Sequence, residues 1–412
     1  MSISSGDGTN VDFATSSVFG RTGQGQSVAG LAATSGGAAG TNKLWLPMWI
    51  GETMTAYDQY RIFNGMTESR TISSGRVAEF PIMGTIALKP AWGAGEELVG
   101  NVNDHVSKTV SVQLDARPYA THFELDNIDL MITQWEYRAE LARQAGQTLA
   151  NARDLQVGAY LVRAAAEQVL TDDPRLAGAT GWRNTLKDSP LFADTTFADL
   201  GNTASTADAR ADAALLLLSK FEEFMVHLRT INADTSGVYC AVDPQTFQDI
   251  RSLGVARDSG DLAGGAGRPY FAGVAEAGGL GAPLTVGMWN NGDKMVYQNV
   301  TIVSTTHIPN FNATGNNAIG EARYNLNFAT AGVKAVIWQP KAVAQLNTTG
   351  IKVDTVDDIR RNTVFTVASM FGGTGVIRPE CASVVTSVAH VNRAALRTQL
   401  GSNMGQEFVN VS

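Results

Sequence analysis

The sequence predicts an α+β protein built around a two-stranded arm, one long helix and a β-rich C-terminal third. Three observations carry this. First, "TISSGRVAEFPIMGTIALKPAWGAGEEL", Thr71 to Leu98, reads as a strand over Val77 to Ile82 that runs out into Gly, Pro and Trp, and "HVSKTVSVQL" brings the chain back at His105 to Leu114. Second, Gln134 to Leu170 holds no proline and only two glycines, with apolar residues recurring at three- and four-residue spacings. Third, strand-like runs follow one another from Lys294 onward, and apolar-polar alternation is clearest in Lys352 to Val356 and Thr363 to Ala368.

Residues 1 to 43 hold nine glycines and only four charged residues. Such a segment cannot bury enough apolar area to offset its own backbone entropy. "LWLPMWIG", Leu44 to Gly51, then places Trp45 and Trp49 close together, so an apolar receiver is expected. Two readings of residues 1–43 stay open, a disordered tail and an arm that orders only against a partner, and the two tryptophans that follow favour the arm. After the two-stranded arm, "THFELDNIDL" carries Phe123, Leu125, Ile128 and Leu130 into the helix. Trp135, Ala139, Ala142, Leu149, Ala152, Ala159, Val162, Ala166 and Val169 form its apolar set. Thr133 followed by Glu136 makes a capping box, and Asp172, Asp173 and Pro174 end the segment. At ~1.5 Å per residue the helix is about 50 Å long, a beam rather than a filler. Gly146 in its interior implies a closely packed neighbour.

Residues 172 to 206 read as mixed and loop-rich, followed by a second helix over Ala207 to Arg229. "GVYCAVDPQTF" is a short buried strand leading into a proline-initiated turn or helix. Nine glycines in 254 to 281 mark a long loop, and 391 to 412 reads as a polar, mobile tail.

The composition bounds the function. The chain has 412 residues, 44% of them hydrophobic, which is enough for large cores. A net charge of −8 argues against a dedicated nucleic-acid binder, which needs a basic face to release counterions. Cys240 and Cys381 sit in apolar runs and read as buried free thiols. The first residues show no secretory signal pattern, and "AALLLL" is too short to span a bilayer. No phosphate loop, nucleophile elbow, H-E-x-x-H or C-x-x-C occurs. The five histidines are scattered, and Glu96–Glu97, Asp172–Asp173, Glu222–Glu223 and Asp357–Asp358 are neighbours in sequence on turns or helix surfaces. No catalytic residue, cofactor or metal is expected. Arms, a beam and no reactive site point to an assembly subunit that is not an enzyme.

The order "TISSGRVAEFPIMGT", "GAGEEL", "YRAELARQAGQTLA", "YCAVDPQTF", "GVKAVIWQPKAVAQL" and "IRRNTVFTVASMFGGTGVIRPECASVV" resembles major capsid proteins of short-tailed bacteriophages of the podovirus, autographivirus type. The resemblance implies the Hong Kong 97-type capsid fold, with an N-terminal arm over 1–50 and an extended β-hairpin loop over 66–114. It implies a peripheral domain over 51–65, 115–171 and 325–375 with a spine helix over 134–170, an axial domain over 172–324 and 376–390, and a C-terminal tail over 391–412. On this resemblance Ser73, Ser74, Gly75, Phe80, Pro81, Gly95, Glu96 and Glu97 of the extended loop contact a neighbouring subunit. Thr133, Glu136 and Gly146 belong to the spine helix, and Trp45 and Trp49 are contacts of the N-terminal arm. The implied function is a structural major capsid protein that self-assembles into pentamers and hexamers of an icosahedral virion shell around double-stranded DNA, without sequence-specific binding. Implied partners are further copies of the chain, a scaffolding protein and a portal protein at one vertex. Synthesis in the bacterial cytoplasm and no membrane association are implied too. Two other readings stay open: another non-catalytic virion part (tail tube or decoration protein), and a β-rich enzyme with an unrecognised site.

Overall fold

The computed structural model describes residues 45–83, 93–95, 107–126, 135–167, 189–253, 294–297, 299–307, 321–348, 350–358, 361, 363–390 and 392–401. For some of these, among them 45–50, 82–83, 107–108, 125–126 and 135–139, it describes the backbone alone. In chain order the elements begin with α1 (Trp45–Tyr60), β1 (Glu68–Thr71), β2 (Val77–Met83), β3 (Ser107–Gln113), β4 (Tyr119–Asp126) and α2 (Trp135–Ala166). Then come β5 (Phe192–Ala193), α3 (Ala207–Thr230), β6 (Val238–Val242), α4 (Pro244–Ser252), β7 (Lys294–Tyr297) and β8 (Val300–Ser304). The last part holds α5 (Phe328–Ala331), β9 (Val333–Trp338), β10 (Val343–Asn347), β11 (Lys352–Asp358), β12 (Thr363–Met370), β13 (Gly372–Val376), β14 (Ala382–Thr386) and α6 (Arg393–Leu400). The chain divides into two compact units.

The first unit takes Met1–Arg61, Arg117–Arg153 and Thr348–Gly372. Its sheet is antiparallel, in the order β11-β12-β4. Alternation along β12 buries Val364, Thr366, Ala368 and Met370 and turns Phe365 outward. Val353, Ala368 and Met370 meet Ala142, Ala145 and Leu149 of α2, three residues on one helix face, to form the core. Gly146 has a clear packing reason. A Cβ there would lie 2.5 Å from the Thr53 carbonyl oxygen and 2.8 Å from the Ala56 Cβ, so α1 approaches α2 backbone to backbone.

The second unit takes Ile62–Ala116, Asp154–Asn347 and Gly373–Ser412. Its main sheet runs β5-β14-β9-β6-β8-β7. β9 lies antiparallel to both β14 and β6, and β6 lies parallel to β8. β6, β9 and β14 are nearly continuous apolar runs because both of their faces are covered. From Gln156 to Ala166 every residue of α2 is buried, so this half of the helix is enclosed on all sides. That enclosure also takes in charge. The buried Asp154 carboxylate accepts the Ile62 N–H at 2.6 Å and fixes the chain just after α1. Trp338 is fully buried, donates its indole N–H to the Met66 carbonyl at 2.9 Å and meets the Phe63 ring edge-on. α3 is capped by Thr206 and α4 by Asp243, each accepting a backbone N–H of the first turn. A smaller sheet, β1-β10-β13, and the pair β2-β3 complete the unit.

Several sequence expectations are corrected. The long helix, expected over 134–170, is described over Trp135–Ala166, and Glu167 already lies past its end; 134 and 168–170 lie outside the described residues. Residues 45–50, assigned to the arm, are the first turns of α1. Residues 325–347 do not group with the first unit: β9 sits between β14 and β6, and its apolar run requires two paired neighbours. The segment from 391 is not simply a tail. Asn392 caps α6, and Leu396 and Leu400, one turn apart, are fully buried. The cysteines are free and buried, and β9 separates the strand of Cys240 from β14, which Cys381 precedes. The capping box at Thr133 and Glu136 lies outside the described side chains.

Candidate functional site

The sequence singles out the two-stranded arm, and the structure makes it a ribbon. β2 and β3 pair antiparallel from Val77↔Gln113 to Met83↔Ser107, a paired length of about 20 Å. Gly75, at φ +91°, makes the turn into β2 that an L side chain resists. The Leu114 N–H closes the foot on the Arg76 carbonyl at 2.9 Å.

The ribbon has two unlike faces. Ala78↔Val112 and Phe80↔Val110 are opposite pairs, and these four side chains are buried together with Leu114, Ala344, Leu346 and Ile377. Val77, Glu79 and Pro81 alternate with them and are exposed. Pro81 lacks an N–H, so a ribbon tolerates it only where that group would point away from the partner strand. Arg70 of β1 donates to the Glu79 carbonyl at 2.7 Å, with its guanidinium 6.0 Å from the centre of the Phe80 ring.

Glycines let the foot of the ribbon lie directly on β13. A Cβ at Gly373 would overlap the Gln113 carbonyl oxygen and sit 2.9 Å from the Leu114 Cα, and one at Gly375 would sit 2.7 Å from the Val112 Cγ2. Alternate positions of a strand share a face, so both glycines look at β3.

Of the residues named from sequence, Ser73, Ser74, Gly75 and Pro81 are exposed at the ribbon's foot or on its outer face. Phe80 is a correction: at 4% exposure it serves the chain's own core, because its strand position points it at Ala344 and Leu346. Gly95 is exposed in a turn at φ +92°. Glu96, Glu97 and the side chains of Trp45, Trp49 and Glu136 lie outside the described parts. Sequence reading missed Gly373 and Gly375, although glycines inside a strand pattern signal close backbone approach.

The perturbed ionisable groups are dispersed, and each has a local cause. Burial pushes the His307 imidazole down to about 4. Burial also raises the Asp249 carboxyl, against the opposing pull of the Gly201 N–H and Arg210. The Lys334 ammonium is lowered by burial and donates to the Leu200 carbonyl at 2.9 Å. Both cysteine thiols are raised by burial. Hydrogen bonds from Arg143 and then Gln144 hold the Glu140 carboxyl down at about 2 on an exposed helix face. Among the described residues no group of three His, Cys, Asp or Glu could hold a metal, and no helix is long and apolar enough to cross a membrane.

No protein-family model and no curated protein matches the chain. Solved structures do. The capsid structure of the cyanophage P-SCSP1u matches with a TM-score of 0.55 and 23% identity, over 80% of this chain and 88% of that one. The mature capsid of bacteriophage PhiM1 matches with a TM-score of 0.55 and 14% identity, over 79% of this chain and 86% of that one. The likeness spans both compact units, and with it the α+β architecture described above is the Hong Kong 97-type capsid fold.

Proposed function

We propose that this chain is the shell-forming subunit of a tailed phage of the short-tailed type, assembling into pentamers and hexamers of an icosahedral shell. One observation carries the reading: four-fifths of the chain shares its fold with the capsid of a cyanophage. The ribbon supports it in physical terms. The ribbon leaves its outer face, with Val77, Glu79 and Pro81, exposed, and repeated copies turn weak contacts on such a face into a closed shell. In this reading the first unit with the long helix serves as the peripheral domain, and the six-stranded sheet belongs to the axial domain. Residues 66–114 form the arm that reaches a neighbour through Ser73, Ser74, Gly75, Pro81, Gly95, Glu96 and Glu97.

The shell encloses double-stranded DNA without reading its sequence, as suits a net charge of −8. Assembly uses a scaffolding protein and one portal vertex, in the cytoplasm of the bacterial host. The subunit performs no catalytic step. The test is negative-stain electron microscopy of the protein expressed alone and with the other assembly gene products of its source. We expect closed shells or polyheads of repeating hexamers. A uniform monomer or dimer under every condition would remove the reading.

A further inference from the structure

The ribbon has a second attachment, made of charge rather than apolar surface. Directly after β3 and Leu114, the next two residues are gripped. Asp115 is buried, and its carboxylate accepts from the Arg323 guanidinium and from the Tyr324 hydroxyl, the latter at 2.7 Å. The Ala116 N–H donates to one oxygen of Glu321, and the other oxygen of Glu321 forms an ion pair with Arg323, 2.9 Å from Nε, without a hydrogen bond there. One planar guanidinium, shared between two carboxylates, therefore closes around two successive residues at the ribbon's foot.

The grip is fixed to the enclosed half of α2. The Tyr324 ring packs on the Tyr160 ring with centroids 5.2 Å apart, and Arg163 donates to the Arg323 carbonyl at 3.2 Å. Past Arg163 the network continues to Glu167, whose carbonyl accepts from Arg393 of α6.

We propose that Glu321, Arg323 and Tyr324 form a latch on Asp115 and Ala116 that sets the direction of the ribbon and opens without unfolding the six-stranded sheet. Two arguments lead there. Apolar contact is non-directional: the small cluster under Phe80 holds the ribbon down but does not fix its angle. Forked, charge-assisted hydrogen bonds do fix an angle, and a buried ion pair contributes more to geometry than to net stability. The ribbon's cluster is also separate from the main core, so the two need not loosen together. The latch deepens the reading of the ribbon as an intersubunit arm and rests on it only for its consequence in assembly. Its test therefore uses the unassembled full chain, and its outcome is independent of whether shells form.

The experiment is hydrogen exchange read by mass spectrometry on the wild type, Asp115→Asn and Tyr324→Phe. Asp115→Asn removes the charge at the joint, and Tyr324→Phe keeps the ring and removes one donor. We expect amides of 77–83 and 107–113 to exchange at least tenfold faster in Asp115→Asn and a few-fold faster in Tyr324→Phe. Amides of 238–242 and 333–338 should keep their wild-type rates. Unchanged ribbon rates, or ribbon and sheet rates rising together, overturn the latch. Should Asp115→Asn fail to fold, Tyr324→Phe decides by the same two criteria.

Discussion

The six-stranded sheet and the ribbon are β-structure of the same chain held by different means. In the sheet, β6, β9 and β14 are covered on both faces, and Trp338 at the end of β9 is enclosed by Phe63, Tyr239 and the Met66 carbonyl. Among the described side chains of the ribbon, four paired ones face inward, and the support beneath them touches through glycine. A lone hairpin is marginal in water, so the ribbon borrows its order from β13 and β10. The difference teaches where damage should show. A change in the sheet should be felt by the whole unit, whereas a change at the ribbon should stay local.

The largest effect that would break this comparison lies at Trp338. Trp338→Ala removes a fully buried indole and should destabilise the unit by about 3–5 kcal/mol. Urea unfolding should show one lower midpoint for every probe, and a midpoint lowered for one probe alone would mean that the sheet does not act as a unit. Next comes acid. His307 follows β8 and is buried neutral, whereas the unfolded chain takes up its proton near the ordinary value of 6.5. Its contribution is fully present above pH 6.5, is lost as pH falls from 6.5 to about 4, and changes no further below that. His307→Gln should therefore shrink the stability difference between pH 7 and pH 4 by at most about 3 kcal/mol. An unchanged difference would mean that the imidazole is protonated in the folded chain.

At the ribbon, Gly373→Ala places a methyl group against the Gln113 backbone, which cannot swing aside as a side chain can. The local penalty should be about 1–3 kcal/mol, seen as faster amide exchange in 107–113 with the sheet unchanged. Equal loosening of sheet and ribbon would erase the distinction between them.

Much of this was legible in the sequence, for reasons that differ by region. Strands β2, β3, β11 and β12 follow from alternation, and α3 and the first half of α2 from helical spacing, because each has one apolar face and local pattern reports it. Residues 325–347 were misplaced because a buried strand such as β9 carries no mark of which sheet receives it. α6 was missed because Leu396 and Leu400 are its only large apolar residues, set among two alanines and four charged or polar residues. The foot of the ribbon was hidden for another reason. Asp115 and Arg323 lie over two hundred positions apart, and no local spacing pairs a lone aspartate with a distant arginine. Gly373 and Gly375 were visible, but only as glycines; which backbone comes close to them is a tertiary fact.

The smallest effect makes the sharpest use of the comparison. Arg70 is exposed, yet it donates to the Glu79 carbonyl on the ribbon and covers the Phe80 ring. Arg70→Gln should change global stability by less than about 1 kcal/mol, since water readily replaces a partner at an exposed carbonyl. Amide exchange in 77–83 should nevertheless rise, because the ribbon loses a lateral tie and nothing else in the unit does. If stability and exchange both stay at wild-type values, that tie contributes nothing to ribbon order, and the apolar cluster with the charged foot suffices. If exchange rises and shell assembly weakens while stability holds, the geometry of the ribbon, rather than the folding of the subunit, is what neighbouring copies read.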